Sequence, residues 1–134
     1  MENLPENPLP LTHLQTLDLA YNKLSTIHTG SVERLSQLRH LNLGGNLFTH
    51  LPASCWSFLP FLKTLDVSWN PIRVLTKESF FGLQRIQELT IQNLSDLKRF
   101  DADSLAQLTY LRKLNIQVKY NKHKWLVTEI LYRN

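Results

Sequence analysis

Few side chains in this 134-residue sequence could do chemistry of their own. Cys55 is the single cysteine, which excludes an internal disulfide, and its neighbours Ser54 and Trp56 supply no base or cation that would activate the thiol. We therefore expect Cys55 to be a half-buried, small apolar residue. The sequence has no Gly-x-Ser-x-Gly motif, no paired carboxylates and only four glycines, too few for a phosphate-binding loop. We expect no enzymatic activity, no cofactor and no small-molecule substrate.

The histidines do not have the spacing of a metal site. There are five of them, and none belongs to a His-Glu-x-x-His motif or to the Cys/His spacing of a zinc site. They are His13, His28, His40, His50 and His123. We expect no bound metal.

Asn93-Leu94-Ser95 is the one N-x-S/T sequon in the chain. In a secreted protein, Asn93 could carry an N-linked glycan. The alternative is that Asn93 serves as a buried turn residue. The two interpretations exclude each other, because a buried amide cannot accept a glycan.

The charge is divided unevenly along the chain. Residues 1–103 carry nine Lys or Arg against ten Asp or Glu, whereas residues 104–134 carry six against Glu129 alone. The net charge of +4 therefore belongs to the carboxyl-terminal part. Because the larger part is nearly neutral, we expect no nucleic-acid partner.

Apolar residues recur with a period of 24 residues, which neither a helix nor a simple strand explains. A fixed period of this size indicates a solenoid. Eight positions match in each of three units. The units are Leu14, Leu17, Leu19, Asn22, Leu24, Ile27, Val32, Leu35; Leu38, Leu41, Leu43, Asn46, Phe48, Leu51, Trp56, Leu59; and Leu62, Leu65, Val67, Asn70, Ile72, Leu75, Phe80, Leu83.

The pattern weakens toward the carboxyl terminus. A fourth unit begins at Ile86, contains one extra residue, and has its asparagine one place early, at Asn93. A fifth unit begins at Leu111 and then loses the pattern. We accordingly predict three segments: an irregular lead-in over residues 1–10, a repeat array of about five units over 11–118, and a basic non-repeat tail over 119–134.

Asn22, Asn46 and Asn70 follow the predicted strand in the first three units. A turn inside a solenoid leaves backbone N–H and C=O groups without sheet partners, and an amide side chain can satisfy both kinds. We expect these three residues to be structural, and the alternative is an exposed turn former.

The three complete units resemble leucine-rich repeats of the typical 24-residue subclass, with Val32, Trp56 and Phe80 at the position that this family usually fills with Phe. The resemblance covers about residues 9–118. It implies an α/β solenoid, right-handed, with a short parallel sheet on its concave face and irregular or short helical segments on its convex face. The subclass is common in extracellular proteins such as Slit, Toll-like receptors and insect cell-surface adhesion proteins. These usually have cysteine-rich caps, which this sequence lacks, so it is either a fragment or a member of a cap-less minority.

We expect the residues between the core leucines of each strand to face the concave side. Equivalent residues of successive units then form four columns that run across the strands. The fourth column contains Tyr21, Gly45 and Trp69. Aromatic residues are enriched in interface hot spots, and Gly45 would leave a notch between the two rings. One interpretation is a protein-binding patch, and the other is that both aromatics pack along the strand edge. The predicted binding residues are Tyr21, Trp69, Asp18, Asp66, Asn42 and His40.

The tail has three interpretations. In the first, the segment is a helix whose apolar side closes the open end of the solenoid. The spacing would place most of four apolar residues on that side: Trp125, Leu126, Ile130 and Leu131. The second interpretation is a frayed or non-native end, and the third is contact between the Lys-rich stretch and an anionic surface.

We therefore expect a non-enzymatic module that binds a protein ligand or receptor. By resemblance it belongs to a cell-surface receptor or adhesion ectodomain, with membrane contact only through flanking segments that this sequence lacks. The alternative is an intracellular, cytoplasmic scaffold or regulatory subunit, since no signal peptide is visible.

Overall fold

The chain winds into a solenoid, and the computed structural model describes residues 1–8, 10–101, 103–119 and 126–132 of it. In the described residues, five coils each supply one strand to a six-stranded sheet, the tail supplies the sixth, and two further short strands form a second sheet. The strands are β1 (Thr16–Asp18), β2 (His40–Asn42), β3 (Thr64–Asp66), β4 (Val74–Leu75), β5 (Glu88–Gln92), β6 (Arg99–Phe100), β7 (Lys113–Lys119) and β8 (Leu126–Tyr132). The larger sheet has the order β1-β2-β3-β5-β7-β8.

Equivalent leucines of successive coils lie side by side on parallel strands. Leu17 is paired with Leu41, Leu41 with Leu65, and Leu65 with Leu89. Leu89 is in turn paired with Leu114 of β7. The sequence period is therefore the length of one coil, and the solenoid predicted from it is confirmed.

The interior of the coils is one continuous apolar core. The position occupied by Val32, Trp56 and Phe80 is buried in all three coils. The Trp56 indole satisfies its one polar atom inside the core, because Nε1 donates a hydrogen bond to the carbonyl oxygen of Ser79 at 2.8 Å. Each coil is covered by its neighbours, which explains why a single unit could not fold by itself.

At the amino-terminal edge, the core is less well covered. Leu14 and Leu17 are only partly buried, whereas Leu41 and Leu65 are buried. Residues 1–8 form no helix or strand, but they pack against the first coil. The carbonyl oxygen of Met1 accepts a hydrogen bond from the Lys23 amide, and Leu4 contacts the core.

Short helices and extended segments form the side of the coils opposite the strands. They are the helix α1 (Thr29–Val32), two 3-10 helices (Ala53–Phe58 and Lys77–Phe80), and the parallel pair of β4 and β6. The prediction of an irregular or short helical convex face is confirmed.

The helix predicted for the tail is wrong. Leu126–Tyr132 is the strand β8, which pairs antiparallel with β7 from Lys113↔Tyr132 to Lys119↔Leu126. The physical reason is that β7 presents unpaired backbone groups at the edge of the sheet, and β-branched Val127, Thr128 and Ile130 favour a strand. Trp125 lies outside the described residues.

Candidate functional site

The strand face of the larger sheet forms a shallow groove of about 360 Å³. Its lining contains three carboxylates, those of Asp18, Asp66 and Glu88. His40 also lies in the groove, where its Nδ1 is 2.8 Å from the hydroxyl oxygen of Thr64. The groove is open rather than enclosed, which suits the side chains of a macromolecular partner better than a small molecule.

Asp18, Asn42 and Asp66 occupy one column of this groove and make the same local contact. In each case, Oδ1 accepts a hydrogen bond of 2.9 Å from the backbone amide two residues later, at Ala20, Gly44 and Ser68 respectively. This contact shapes the turn out of the strand. In Asp18 and Asp66, one carboxylate oxygen is therefore engaged in a backbone hydrogen bond. The column still displays two negative charges, one on each side of Asn42.

Three residues after this column, each coil has a residue with left-handed backbone geometry. The φ angles are 58° at Tyr21, 68° at Gly45, 59° at Trp69 and 55° at Asn93. The amide of each of these residues donates a hydrogen bond to a carbonyl oxygen of the following coil, for example from Tyr21 to Gly44 at 2.9 Å. This geometry suits Gly and Asn, but it is unfavourable for an aromatic residue.

Tyr21 and Trp69 project into solvent from these strained positions. Their side chains are 81% and 60% exposed. The Tyr21 ring lies over Gly45, where a Cβ atom would be only 2.5 Å from the ring carbon Cδ1. The notch expected at Gly45 is therefore occupied by the Tyr21 ring itself, which packs across the neighbouring coil while most of its surface stays exposed.

Asn46 and Asn70 tie adjacent coils together. The Asn46 amide nitrogen donates to the carbonyl oxygens of Leu43 in its own coil and Leu19 in the preceding coil, while Oδ1 accepts from the Leu24 amide. Asn70 repeats this arrangement one coil later. Both are buried. In these two coils an exposed turn residue is excluded.

Asn22 differs from the other two asparagines because it belongs to the first coil. It is partly buried, and its amide nitrogen donates only within its own coil, to Leu19 and Ala20. Its Oδ1 accepts a hydrogen bond of 3.2 Å from the terminal ammonium group of Met1.

Asn93 is exposed, so the alternative of a buried turn asparagine is wrong. Its backbone amide donates to Gln117 at 2.8 Å, just as Trp69 donates to Gln92, which aligns Asn93 with Trp69 rather than with Asn70. The residue that aligns with Asn70 is Leu94, and it is fully buried. The fourth coil therefore fills the asparagine position with an apolar side chain, and the extra residue lies after it.

Cys55 is more deeply buried than expected, with 1% of its surface exposed. Burial raises the pKa of the thiol, and a hydrogen bond with Ser54 opposes this only in part. A thiol with a raised pKa is a poor nucleophile. Within the part of the chain that the structure describes, no group of His, Cys, Asp or Glu side chains could hold a metal ion.

A second surface was not predicted from the sequence. It lies beside the residues that directly precede strands β2, β3 and β5. We call it the entry cavity; it has a volume of about 400 Å³. Its lining is Arg39, Phe61, Lys63, Arg85, Gln87 and Tyr110. The signal was available, because Arg39, Lys63 and Gln87 recur every 24 residues, each directly before the first residue of strands β2, β3 and β5.

The comparisons agree with this geometry. A family model described as leucine rich repeat matches residues 12–72. Chaoptin of Tribolium castaneum is 32% identical over 127 residues, which cover 94% of this chain and 16% of that protein. The platelet glycoprotein Ib alpha chain of Mus musculus is 39% identical over 82 residues, which cover 61% of this chain and 11% of that protein. The chain therefore spans a small part of these relatives.

A solved structure is also similar. The crystal structure of a TLR13–ssRNA13 complex superposes with a TM-score of 0.55 at 27% identity, over 79% of this chain and 18% of that one. Among the described residues, no helix is both long and apolar enough to cross a membrane. The repeat register, the parallel sheet and the family match together establish that this chain belongs to the leucine-rich repeat family.

Proposed function

We propose that this chain is a non-enzymatic recognition module that binds a protein partner through the strand face and its aromatic edge. The observation that carries the proposal is the placement of Tyr21 and Trp69. Both are largely exposed, and both have a left-handed backbone that costs an aromatic residue about 1–2 kcal/mol. Gly45 and Asn93 show which residues suit the same position. Stability gives no reason to place exposed aromatics there, whereas binding does.

The neighbouring charges define the kind of partner. Asp18, Asp66 and Glu88 make the groove acidic, and His40 and Asn42 add hydrogen-bonding groups between them. A partner with basic side chains flanked by apolar ones would complement this surface. We propose that the predicted binding residues act together, with Tyr21 and Trp69 contacting the partner beside the groove that Asp18, Asp66, Asn42 and His40 line.

We further propose a location at the cell surface or outside the cell. Two observations support it: one similar protein is named a platelet glycoprotein, and the Asn93 side chain of the sequon is exposed. An intracellular scaffold remains the alternative prediction from the sequence.

The proposal is tested with a double variant, Tyr21→Ala with Trp69→Ala. The chain, multimerised for avidity, is screened against purified extracellular domains, and the affinity of each binding partner is then measured by surface plasmon resonance. We expect the double variant to lose at least tenfold in affinity, because hot-spot aromatics each contribute about 2 kcal/mol or more.

Phe81→Ala is the matched control, since Phe81 is an exposed aromatic that does not line the groove. Unchanged affinity in a folded double variant would contradict the proposal. An equal loss in the Phe81→Ala variant would also contradict it, because the effect would not belong to the strand face.

A further inference from the structure

The entry cavity combines cations with aromatic rings. Arg39, Lys63 and Arg85 contribute three positive charges to its lining, and among the described residues the lining contains no carboxylate. This differs sharply from the strand face beside it, which carries Asp18 and Asp66. A nearly neutral total over residues 1–103 therefore coexists with a local cluster of positive charge at the entry cavity.

The cations form a row across successive coils. The Lys63 amide donates to the carbonyl oxygen of Arg39, the Gln87 amide to that of Lys63, and the Arg112 amide to that of Gln87. These hydrogen bonds place the four residues in register on adjacent coils, at the spacing of about 4.8 Å between neighbouring strands. A linear polyanion lying across the coils would meet Arg39 and Lys63 in the cavity, then the neutral Gln87, and then Arg112 beyond the cavity lining.

The aromatic rings lie within the same cavity. Tyr110 is 63% exposed and Phe61 is 39% exposed. The Arg85 guanidinium is 5.0 Å from the centre of the Phe61 ring, a cation–π contact that holds this cation in place at the cavity. A planar guanidinium held in this way can donate two hydrogen bonds to one phosphate group.

From this arrangement we propose that the entry cavity binds a short segment of single-stranded nucleic acid. Phosphates would contact the row of cations, and a base would stack on Tyr110. Cations that follow the backbone together with exposed rings that stack bases are the combination by which proteins bind single strands. An acidic peptide or a sulfated polysaccharide would use the cations but would have no need of the rings. A duplex would present phosphates while keeping its base faces stacked.

Binding is measured with the full chain and a fluorescein-labelled 12-nucleotide oligouridylate RNA, by fluorescence anisotropy at several KCl concentrations. We expect Tyr110→Ala to weaken binding roughly tenfold, as expected for the loss of one stacked base. We expect Arg39→Gln with Lys63→Gln to weaken binding and to lower the salt slope by roughly 0.7 for each phosphate that is no longer neutralised. The strand-face variant Tyr21→Ala with Trp69→Ala should bind RNA normally, which separates this proposal from the proposed function.

Matched controls are needed because the tail is basic and attracts any polyanion. Lys23→Gln with Lys98→Gln removes two exposed charges elsewhere, and Phe81→Ala removes an exposed ring outside the cavity. Both should bind RNA like the unmodified chain. Four results would each overturn the proposal: no binding of the RNA, equal affinity for a 12-base-pair duplex, equal affinity for polyglutamate or heparin, or Tyr110→Ala binding as tightly as Phe81→Ala.

Discussion

The side-chain amide of Asn46 donates a hydrogen bond of 2.9 Å to the carbonyl oxygen of Leu19, 27 residues earlier in the sequence. The same side chain accepts a bond from Leu24, so a single residue pairs both a donor and an acceptor of the preceding coil. Since the site is buried, water cannot replace either bond.

Replacing this residue should therefore destabilise the array. We expect Asn46→Ala and Asn70→Ala each to lower the free energy of unfolding by about 1–3 kcal/mol, because buried backbone groups lose their partners. Asn22→Ala should cost less, since Asn22 is partly buried and donates only within its own coil. Urea denaturation measures all three. Equal losses at Asn22 and Asn46 would show that the contact between coils contributes nothing.

The charge of the strand face can be removed without changing its turns. In Asp18→Asn with Asp66→Asn, the amide oxygen can accept the same backbone bond, as the Asn42 side chain already does. We expect unchanged stability but slower association with the protein partner and a weaker dependence of that rate on salt. Stopped-flow or surface plasmon resonance measures the rate. An association rate that does not change would remove the acidic groove from the recognition surface.

The exposure of Asn93 leads to a prediction about modification. Expressed through a secretory pathway, the chain should gain the mass of one N-linked glycan at Asn93. Ser95→Ala should abolish the gain while leaving Asn93 and its left-handed backbone in place. Intact mass spectrometry before and after glycosidase treatment reports both. A chain secreted without added mass would contradict the prediction.

Strand β8 covers the edge of the last parallel strand, β7. We propose that residues 119–134 act as an end cap, through a strand rather than through a helix. Deletion of residues 120–134 should lower the melting temperature, because β7 loses its ladder partner and exposes unpaired backbone groups. The variant Lys122→Gln with Lys124→Gln removes charge but keeps the strand, and its melting temperature should not change. A deletion that melts like the full chain would disprove the cap.

The Cys55 thiol should be unreactive in the folded protein. Burial raises its pKa, so the thiolate fraction at a given pH is smaller than in the unfolded chain. The stability gained from the neutral thiol is present below the ordinary thiol pKa and is lost as the pH rises through the raised value. Labelling with dithionitrobenzoate at pH 8 should be slow in buffer and fast in urea. Equal rates in the two conditions would show that the thiol is accessible.

Much of the fold could be predicted from the sequence, because repetition makes local and tertiary information coincide. The spacing of Leu17, Leu41 and Leu65 sets the length of a coil, and strands of equal coils must then align. Prediction failed where the repetition ended. The 24-residue spacing placed Asn93 in the same column as Trp69, but Asn93 was also a candidate for a displaced turn asparagine. The exposure of Asn93 and the burial of Leu94 decided between the two.

Taken alone, the sequence determined the coil length, the apolar interior and the order of the parallel strands, because each follows from the 24-residue period. The tertiary structure decided what two separate coils create together. It placed the Tyr21 ring over Gly45, brought Arg85 onto Phe61, and folded β8 back against β7. These contacts depend on side-chain direction and on pairing between coils, which a residue spacing along one chain does not specify.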